Sequence, residues 1–291
     1  MTDTALPVVH QSSAFGDRLR KTLLLFALGT LTIVLIFPLY WMLQTSLLPT
    51  SMVLSRTPSL LPSPANVSVD AYAIVLGQTP MLWWFANSTI IMLGSALLSA
   101  LAATLAGYSL SRYRSFASNG VAYALLLGRV LPGTLLALPF FIIFRSTGLL
   151  DNRIAVVLAN CSMIVPFATF MMKNYFDQIP RELDDAAVVD GCSPPQMLWH
   201  VLLPLAKPGI GATLALAATA SWVDLLFART LLLTNELWTI PVGIASLIGD
   251  VQVSWNQLMA AGVLSVVPVF LVYWFVQPLL VSGLTAGAVK G

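Results

Sequence analysis

Residues able to do chemistry are few in this chain, and most of them fall in one place. Glu182, Asp184, Asp185 and Asp190 lie in the stretch IPRELDDAAVVDGCSPPQMLWHVLLPLAKP, residues 179–208, together with five prolines. Clustered carboxylates suit metal binding or acid–base work only when other donors stand near them. His200 is alone in this stretch, and His10 lies in the N-terminal tail. Cys161 and Cys192 belong to no CxxC pair or Cys/His cluster, so neither a disulfide framework nor a zinc site is expected. No Ser/His/Asp or Cys/His set assembles, and no G-x-x-x-x-G-K-[ST] phosphate loop occurs. The chain is therefore read as having no catalytic, metal or cofactor residues of its own. Two more charges stand out because apolar sequence surrounds them: Arg129 and Asp224.

The elements that position these residues follow from composition. Of 291 residues, 58% are hydrophobic and 9% charged, with a mean hydropathy of +0.86. A soluble domain carries about 25% charged residues. The deficit is too large for one globular core to hide, so lipid is the solvent for most of the chain. A net charge of +2 with no basic stripe excludes nucleic acid as a partner.

A spanning helix needs roughly 20 apolar residues. Six runs qualify, near 22–43, 81–108, 120–144, 154–175, 209–230 and 259–283, after a tail of residues 1–21. The expected fold is all-α and integral to the membrane. The third run is the weakest, since it holds Arg129 and two prolines. With the N-terminus inside, nine Lys and Arg fall in cytoplasmic segments and four in external ones. An even number of spans then leaves both termini in the cytoplasm. Residues 44–80 and 231–258 lie outside, and 176–208 form the longest cytoplasmic loop.

That loop carries the punctuation of two short helices. Glu182, Asp184 and Asp185 sit where a helix N-terminus favours negative charge. Leu183, Ala186 and Ala187 are expected on one face, at the i, i+3, i+4 spacing. Gly191 suits a left-handed C-cap, Ser193 an N-cap, and Pro194 a first helical position. Met197, Leu198, Val201 and Leu202 line one side of the second helix. Pro204 cannot continue an ideal helix, and Pro208 precedes the fifth span. An amphipathic hairpin lying on lipid headgroups would show Lys and Arg where this loop shows acids. A rigid knob with an apolar face and an acidic rim suits docking into a groove on a protein.

The segment DAAVVDGCSPPQMLWHVLLP resembles the cytoplasmic signature of ABC-importer permeases: EAA, three residues, G, nine residues, I-x-L-P. Asp185-Ala186-Ala187 stand for EAA, Gly191 for the glycine, Val201 for the isoleucine, and Leu203-Pro204 for LP. Asp185 and Val201 depart from the pattern by one methylene each. GLTAGAVKG at the C-terminus, RVLPGTLLALPFF from Arg129 and SWVDLLFA from Ser221 are similar to MalG-type carbohydrate permeases. The resemblance implies a MetI-like permease fold in a bacterial inner membrane, with six spans and a coupling-helix elbow between spans four and five. It implies that Glu182, Asp184, Asp185, Ala186, Ala187, Asp190, Gly191, Val201, Leu203 and Pro204 form the docking loop for a cytoplasmic ATPase. The implied partners are a second permease, two copies of that ATPase holding ATP and Mg, and an extracytoplasmic solute-binding protein. The implied cargo is a sugar or oligosaccharide, with glycerol phosphate or a polyol as the alternative.

A sugar route needs hydrogen-bonding groups and aromatic faces in an apolar wall. Asp224, Trp222, Asn87, Asn160 and Arg129 are the residues placed to supply them, although asparagines in spans also serve to tie helices together. A stand-alone secondary transporter or channel would work without ATPase partners, and the elbow spacing argues against it. An integral-membrane enzyme would need a cluster of acids with His or Cys near one interface.

Overall fold

The structure is a computed structural model that describes residues 14–53, 63, 66–113, 115–128, 131–248 and 253–288. Arg129 lies outside the described residues. Among those described, the only pairing of β type is a single antiparallel bridge between Ile248 and Val253. Everything else regular is helical, as a bilayer demands of a chain that must satisfy its own backbone.

Among the described residues thirteen α-helices follow one another: α1 (Ala14–Ser46), α2 (Thr50–Val53), α3 (Asp70–Gln78), α4 (Met81–Arg112), α5 (Phe116–Gly128), α6 (Gly133–Ser146), α7 (Arg153–Asp177), α8 (Glu182–Val189), α9 (Pro194–Met197), α10 (Leu203–Trp222), α11 (Leu226–Leu231), α12 (Ile240–Ser246) and α13 (Trp255–Ala288). Among the described residues five stretches are long and apolar enough to cross a membrane: Arg18–Ser46, Met81–Arg112, Arg153–Asp177, Pro194–Trp222 and Trp255–Phe275.

The core is built on α4, α7 and α10. Paired residues rise together along α4 and α7: Asn87 meets Arg153, Ser99 meets Cys161, and Ser111 meets Asp177. The two helices therefore run parallel and in register. Their backbones nearly touch at Gly107, where an added Cβ would lie 2.7 Å from the Met172 Cβ and 2.8 Å from the Lys173 nitrogen. Small residues let helices approach this closely in a membrane. α10 runs the other way: Gly209 lies under the Tyr175 ring near one end, and Ser221 accepts a hydrogen bond from Asn160 near the other. The start of α13 is tied to the turn after α1 and the start of α2 through Asn256, whose Nδ2 donates to the Leu48 carbonyl and to Thr50.

Parallel α4 and α7 require the chain between them to travel back along the bundle. It does so in two pieces, which corrects the expectation of one helix over 120–144. α5 ends at Gly128, and α6 begins at Gly133 after Pro132, whose ψ of 137° is extended. Pro132 has no N–H to donate and its ring opposes a helical residue before it, so the helix breaks there.

The run expected over 209–230 is also placed differently. One apolar helical stretch extends from Pro194 to Trp222, so Pro204 and Pro208 lie inside it. Residues Leu198–Leu202 form a π-turn, in which the Leu203 N–H reaches back five residues to the Leu198 carbonyl. A π-turn inserts one extra residue into the helix and shifts the hydrogen-bond ladder. Pro204 follows directly, where its missing donor is absorbed by the altered ladder.

Candidate functional site

The elbow is held by local caps at its bend. α8 ends in a Schellman motif: the Cys192 N–H donates to the Ala187 carbonyl at 2.9 Å, and the Gly191 N–H donates to the Val188 carbonyl at 3.0 Å. Gly191 has a φ of +82°, which a residue with a Cβ adopts only with strain. The next residues start a helix at once. The Ser193 N–H donates to Gln196 Oε1 at 2.8 Å, half of a capping box, with Pro194 at the first position.

Orientation of α8 differs from the expected Leu183, Ala186, Ala187 face. Ala187 is buried at 4% exposure, whereas Leu183 is 38% exposed and Ala186 is exposed. The cause is Asp184. Its carboxylate pairs with the Arg112 guanidinium at 2.6 Å, which turns the Asp184–Ala187 side of the helix toward the bundle. The opposite side carries Glu182, Asp185, Ala186 and Val189 at the i, i+3, i+4, i+7 spacing, and all four are exposed, Val189 at 87%. Asp190 is exposed beside them. Met197, Leu198 and Leu202 are buried against the bundle, while Val201 and Leu203 are half-buried and Pro204 is exposed.

Arg112 is the residue that sequence reasoning passed over, having counted it only as an inside charge. It closes α4, and its side chain is 7% exposed. It donates to the Phe176 carbonyl at 2.9 Å, to the Ile179 carbonyl at 3.4 Å and to Asp184 Oδ1 at 3.3 Å. Arg181 adds a second link, donating to the Ser111 carbonyl at 3.0 Å. Ser111 in turn donates to Asp177, which pairs with Lys173 at 2.6 Å. The only signal for Arg112 in the sequence was an arginine at the exact end of an apolar run.

Of the residues expected along a route, Asn160 and Asp224 meet through a side-chain hydrogen bond, while Asn87 is held elsewhere. Asn87 is fully buried and committed: Nδ2 donates to the Glu236 and Trp238 carbonyls, and Oδ1 accepts from Arg153. Asn160, at 4% exposure, donates to Ser221 and ties α7 to α10. Asp224 accepts the Phe227 and Ala228 N–H groups at 3.2 and 3.1 Å, capping the first turn of α11. Trp222 borders a cavity of about 390 Å³ with Val223, Ile240, Pro241, Ile244, Ser265, Val266 and Val269, and its indole donates to the Ser265 carbonyl. A second cavity of about 340 Å³ lies beside the α5–α6 break, lined by Leu131, Pro132, Gly133, Met163, Ile164, Leu216 and Ala220.

At the end of the bundle opposite the elbow, Asp151 clamps a loop. Its φ of +59° turns the chain so that its own N–H donates to the Leu231 carbonyl. Its carboxylate accepts from the Leu233 and Thr234 N–H groups, at 2.7 and 3.0 Å, and from the Thr234 hydroxyl. Partial burial pushes the carboxyl upward. The three donors from Thr234 and Leu233 together outweigh burial and hold it below its ordinary value. Nearby, Trp84 donates to the Asn235 carbonyl, and the Arg229 guanidinium lies 5.2 Å from the Trp238 ring centre.

Among the described residues no group of three or more His, Cys, Asp or Glu is placed to hold a metal ion. The arrangement is mechanical: a presented face at one end, a helix continuous with it, and tied loops at the other.

Comparison with known proteins agrees in kind. The inner membrane ABC transporter permease protein YcjP of Escherichia coli is 31% identical over 266 residues, covering 91% of this chain and 94% of that one. The arabinooligosaccharides transport system permease protein AraQ of Bacillus subtilis is 30% identical over 262 residues, covering 90% and 92%. The maltodextrin transport system permease protein MdxG of Bacillus subtilis is 33% identical over 225 residues, covering 77% and 81%. Among solved structures, a bacterial ABC transporter involved in import of the acidic polysaccharide alginate matches with a TM-score of 0.78 at 24% identity, over 94% of this chain and 99% of that one. A chain of the MetNI methionine ABC transporter matches with a TM-score of 0.53 over 70% of this chain and 97% of that one. The fold is thus that of ABC-transporter permeases, a class whose subunits are normally non-catalytic. Residues 99–285, which hold the elbow, the π-turn and most of the bundle, match the family model, and the chain belongs to the family of binding-protein-dependent transport system inner membrane components.

Proposed function

We propose that this chain is one permease subunit of an ABC importer for a sugar or oligosaccharide, driven by ATP that a separate subunit hydrolyses. The observation that carries the reading is the elbow, which presents Glu182, Asp185, Ala186 and Val189 on a stiff, doubly capped bend. That face seats on a cytoplasmic ABC ATPase, two copies of which hold ATP and Mg, and Gly191 sets the bend. The transport systems named for the relatives AraQ and MdxG, for arabinooligosaccharides and maltodextrin, support a carbohydrate cargo.

In this reading the chain crosses the inner membrane six times with both termini in the cytoplasm, α5 and α6 together making the third crossing. Parallel α4 and α7 support that count, because the segment joining them must return through the bilayer. Half of a translocation cavity comes from this chain and half from a second, different permease. An extracytoplasmic binding protein delivers cargo to the loops that include 44–80 and 231–258. Closure of the ATPase dimer moves the elbows, and the cavity changes the side to which it opens. Trp222 is this chain's contribution to the route, since it borders a cavity of sugar size.

The test is purification of the complex from native membranes through a tag on this chain, followed by reconstitution. An ABC ATPase should co-purify without crosslinker, and uptake of a tritiated oligosaccharide should require ATP. Uptake by the chain alone, with no ATPase present, would refute the reading.

A further inference from the structure

We infer that Arg112 is a positioning residue for energy coupling: it is the joint through which movement of the elbow is transmitted to the bundle. The inference rests on the proposed role of α8 and extends it to a residue outside the docking loop. Three segments meet at one guanidinium. Arg112 closes α4, donates to carbonyls that end α7 at Phe176 and follow it at Ile179, and pairs with Asp184 in the first turn of α8. The pair is withdrawn from water, with side chains 7% and 16% exposed. A buried guanidinium holds a carboxylate with fixed direction, because its planar donors are not free to swivel.

The rest of the attachment of α8 is slight. Ala187 is its one buried residue, and Ala187 is too small to grip. Arg181 reaches the same last turn of α4, through the Ser111 carbonyl. Asp184 faces inward while Glu182 and Asp185 face outward, so the acids of the loop divide into two tasks. The outward acids meet the partner, and the inward one fastens the helix to α4 and α7. A displacement of α8 then pulls on the ends of two parallel, closely packed helices at once. Without the pair, α8 shifts against the bundle and the displacement is lost as local motion.

The test uses the complex purified through a tag on this chain and reconstituted in proteoliposomes. The cargo is whichever tritiated oligosaccharide the wild-type complex takes up from a panel. The variants are R112A, R112K, D184N and the exchange R112D/D184R. Expected for R112A and D184N is retention of the ATPase subunit with uptake per ATP hydrolysed reduced about fivefold or more. The exchange recovers roughly half of that loss or more, as coupled residues do in a double-mutant cycle. R112K falls between, because an ammonium keeps the charge and loses the fork that spans two carbonyls. If R112A fails to insert, D184N and the exchange carry the test. Uptake per ATP within about twofold of wild type for both R112A and D184N would overturn the inference, as would failure of the exchange to recover coupling. A wild-type complex that lacks an ATPase, or that takes up sugar without ATP, would instead bring down the proposed function.

Discussion

Replacing Gly107 by Ala probes the closest packing in the bundle. The new methyl would sit 2.7 Å from the Met172 Cβ, 2.8 Å from the Lys173 nitrogen and 3.0 Å from the Met172 carbonyl carbon. Carbon atoms rest comfortably at about 3.5–4.0 Å, so α4 and α7 must separate by roughly 1 Å. Two of the three obstructing atoms are backbone, so no side-chain rotation relieves the clash. Overpacking of this kind costs about 1–3 kcal/mol. Against it stands the better helix propensity of Ala, about 0.8–1 kcal/mol, which counts for less in a membrane where the separated helices stay helical. The net expectation is a destabilisation of about 1–2 kcal/mol. Gly29→Ala is the control, since nothing lies within 4 Å of its added Cβ. The assay is thermal unfolding of the detergent-purified chain followed by tryptophan fluorescence. G107A should melt below wild type and G29A at or above it. The separation should also loosen the Arg112 bond to the Phe176 carbonyl, five residues further along α4, so uptake per ATP should fall. A G107A chain as stable as G29A, with coupling intact, would refute the claim that the two backbones meet at this point.

Further outcomes follow from single groups. Asp151 has a folded pKa held below its ordinary value of 3.8, so its contribution to stability is fully present above that value and is lost as pH falls through the lower folded one. The difference in melting temperature between wild type and D151N should stay constant from neutral pH down to about 5 and shrink in stronger acid; a difference independent of pH would exclude the clamp. Gly191→Ala forces a Cβ into a φ of +82° without a clash and should cost about 1–2 kcal/mol. Gly191→Asp should in addition abolish uptake while leaving the chain in the membrane, and normal uptake by it would count against docking. Asp224→Ala removes the cap of α11 and should cost about 1 kcal/mol, with Asp224→Asn much closer to wild type; a changed KM in a fully stable D224N would place Asp224 on the route instead.

What the sequence revealed and what it concealed divide by distance along the chain. The bend at Gly191, the start at Ser193 and the acids of α8 were readable because each cap is decided within four residues. The rotation of α8 was not, because Arg112 lies 72 residues before Asp184 and nothing near either residue announces the pair. For Asn87 and Asn160 the sequence left both a cargo route and a tie between helices open for the same reason: their partners, Trp238 and Ser221, are 151 and 61 residues away. Pro132 signalled trouble in the third run, yet only the parallel course of α4 and α7 explains why that segment must still cover the height of the bundle. Pro204 misled in the opposite direction, since it lies inside a helical stretch, directly after a π-turn over Leu198–Leu202 that no local signal announces.

The unbroken stretch from Pro194 to Trp222 is 29 residues long. At 1.5 Å per residue it forms a lever of about 43 Å. Leaning its base by about 5° would sweep the far tip, where Trp222 borders its cavity, through roughly 4 Å. In the proposed function, leverage of this kind would turn a small stroke at the elbow into the opening or shutting of an aperture at the far end of the bundle.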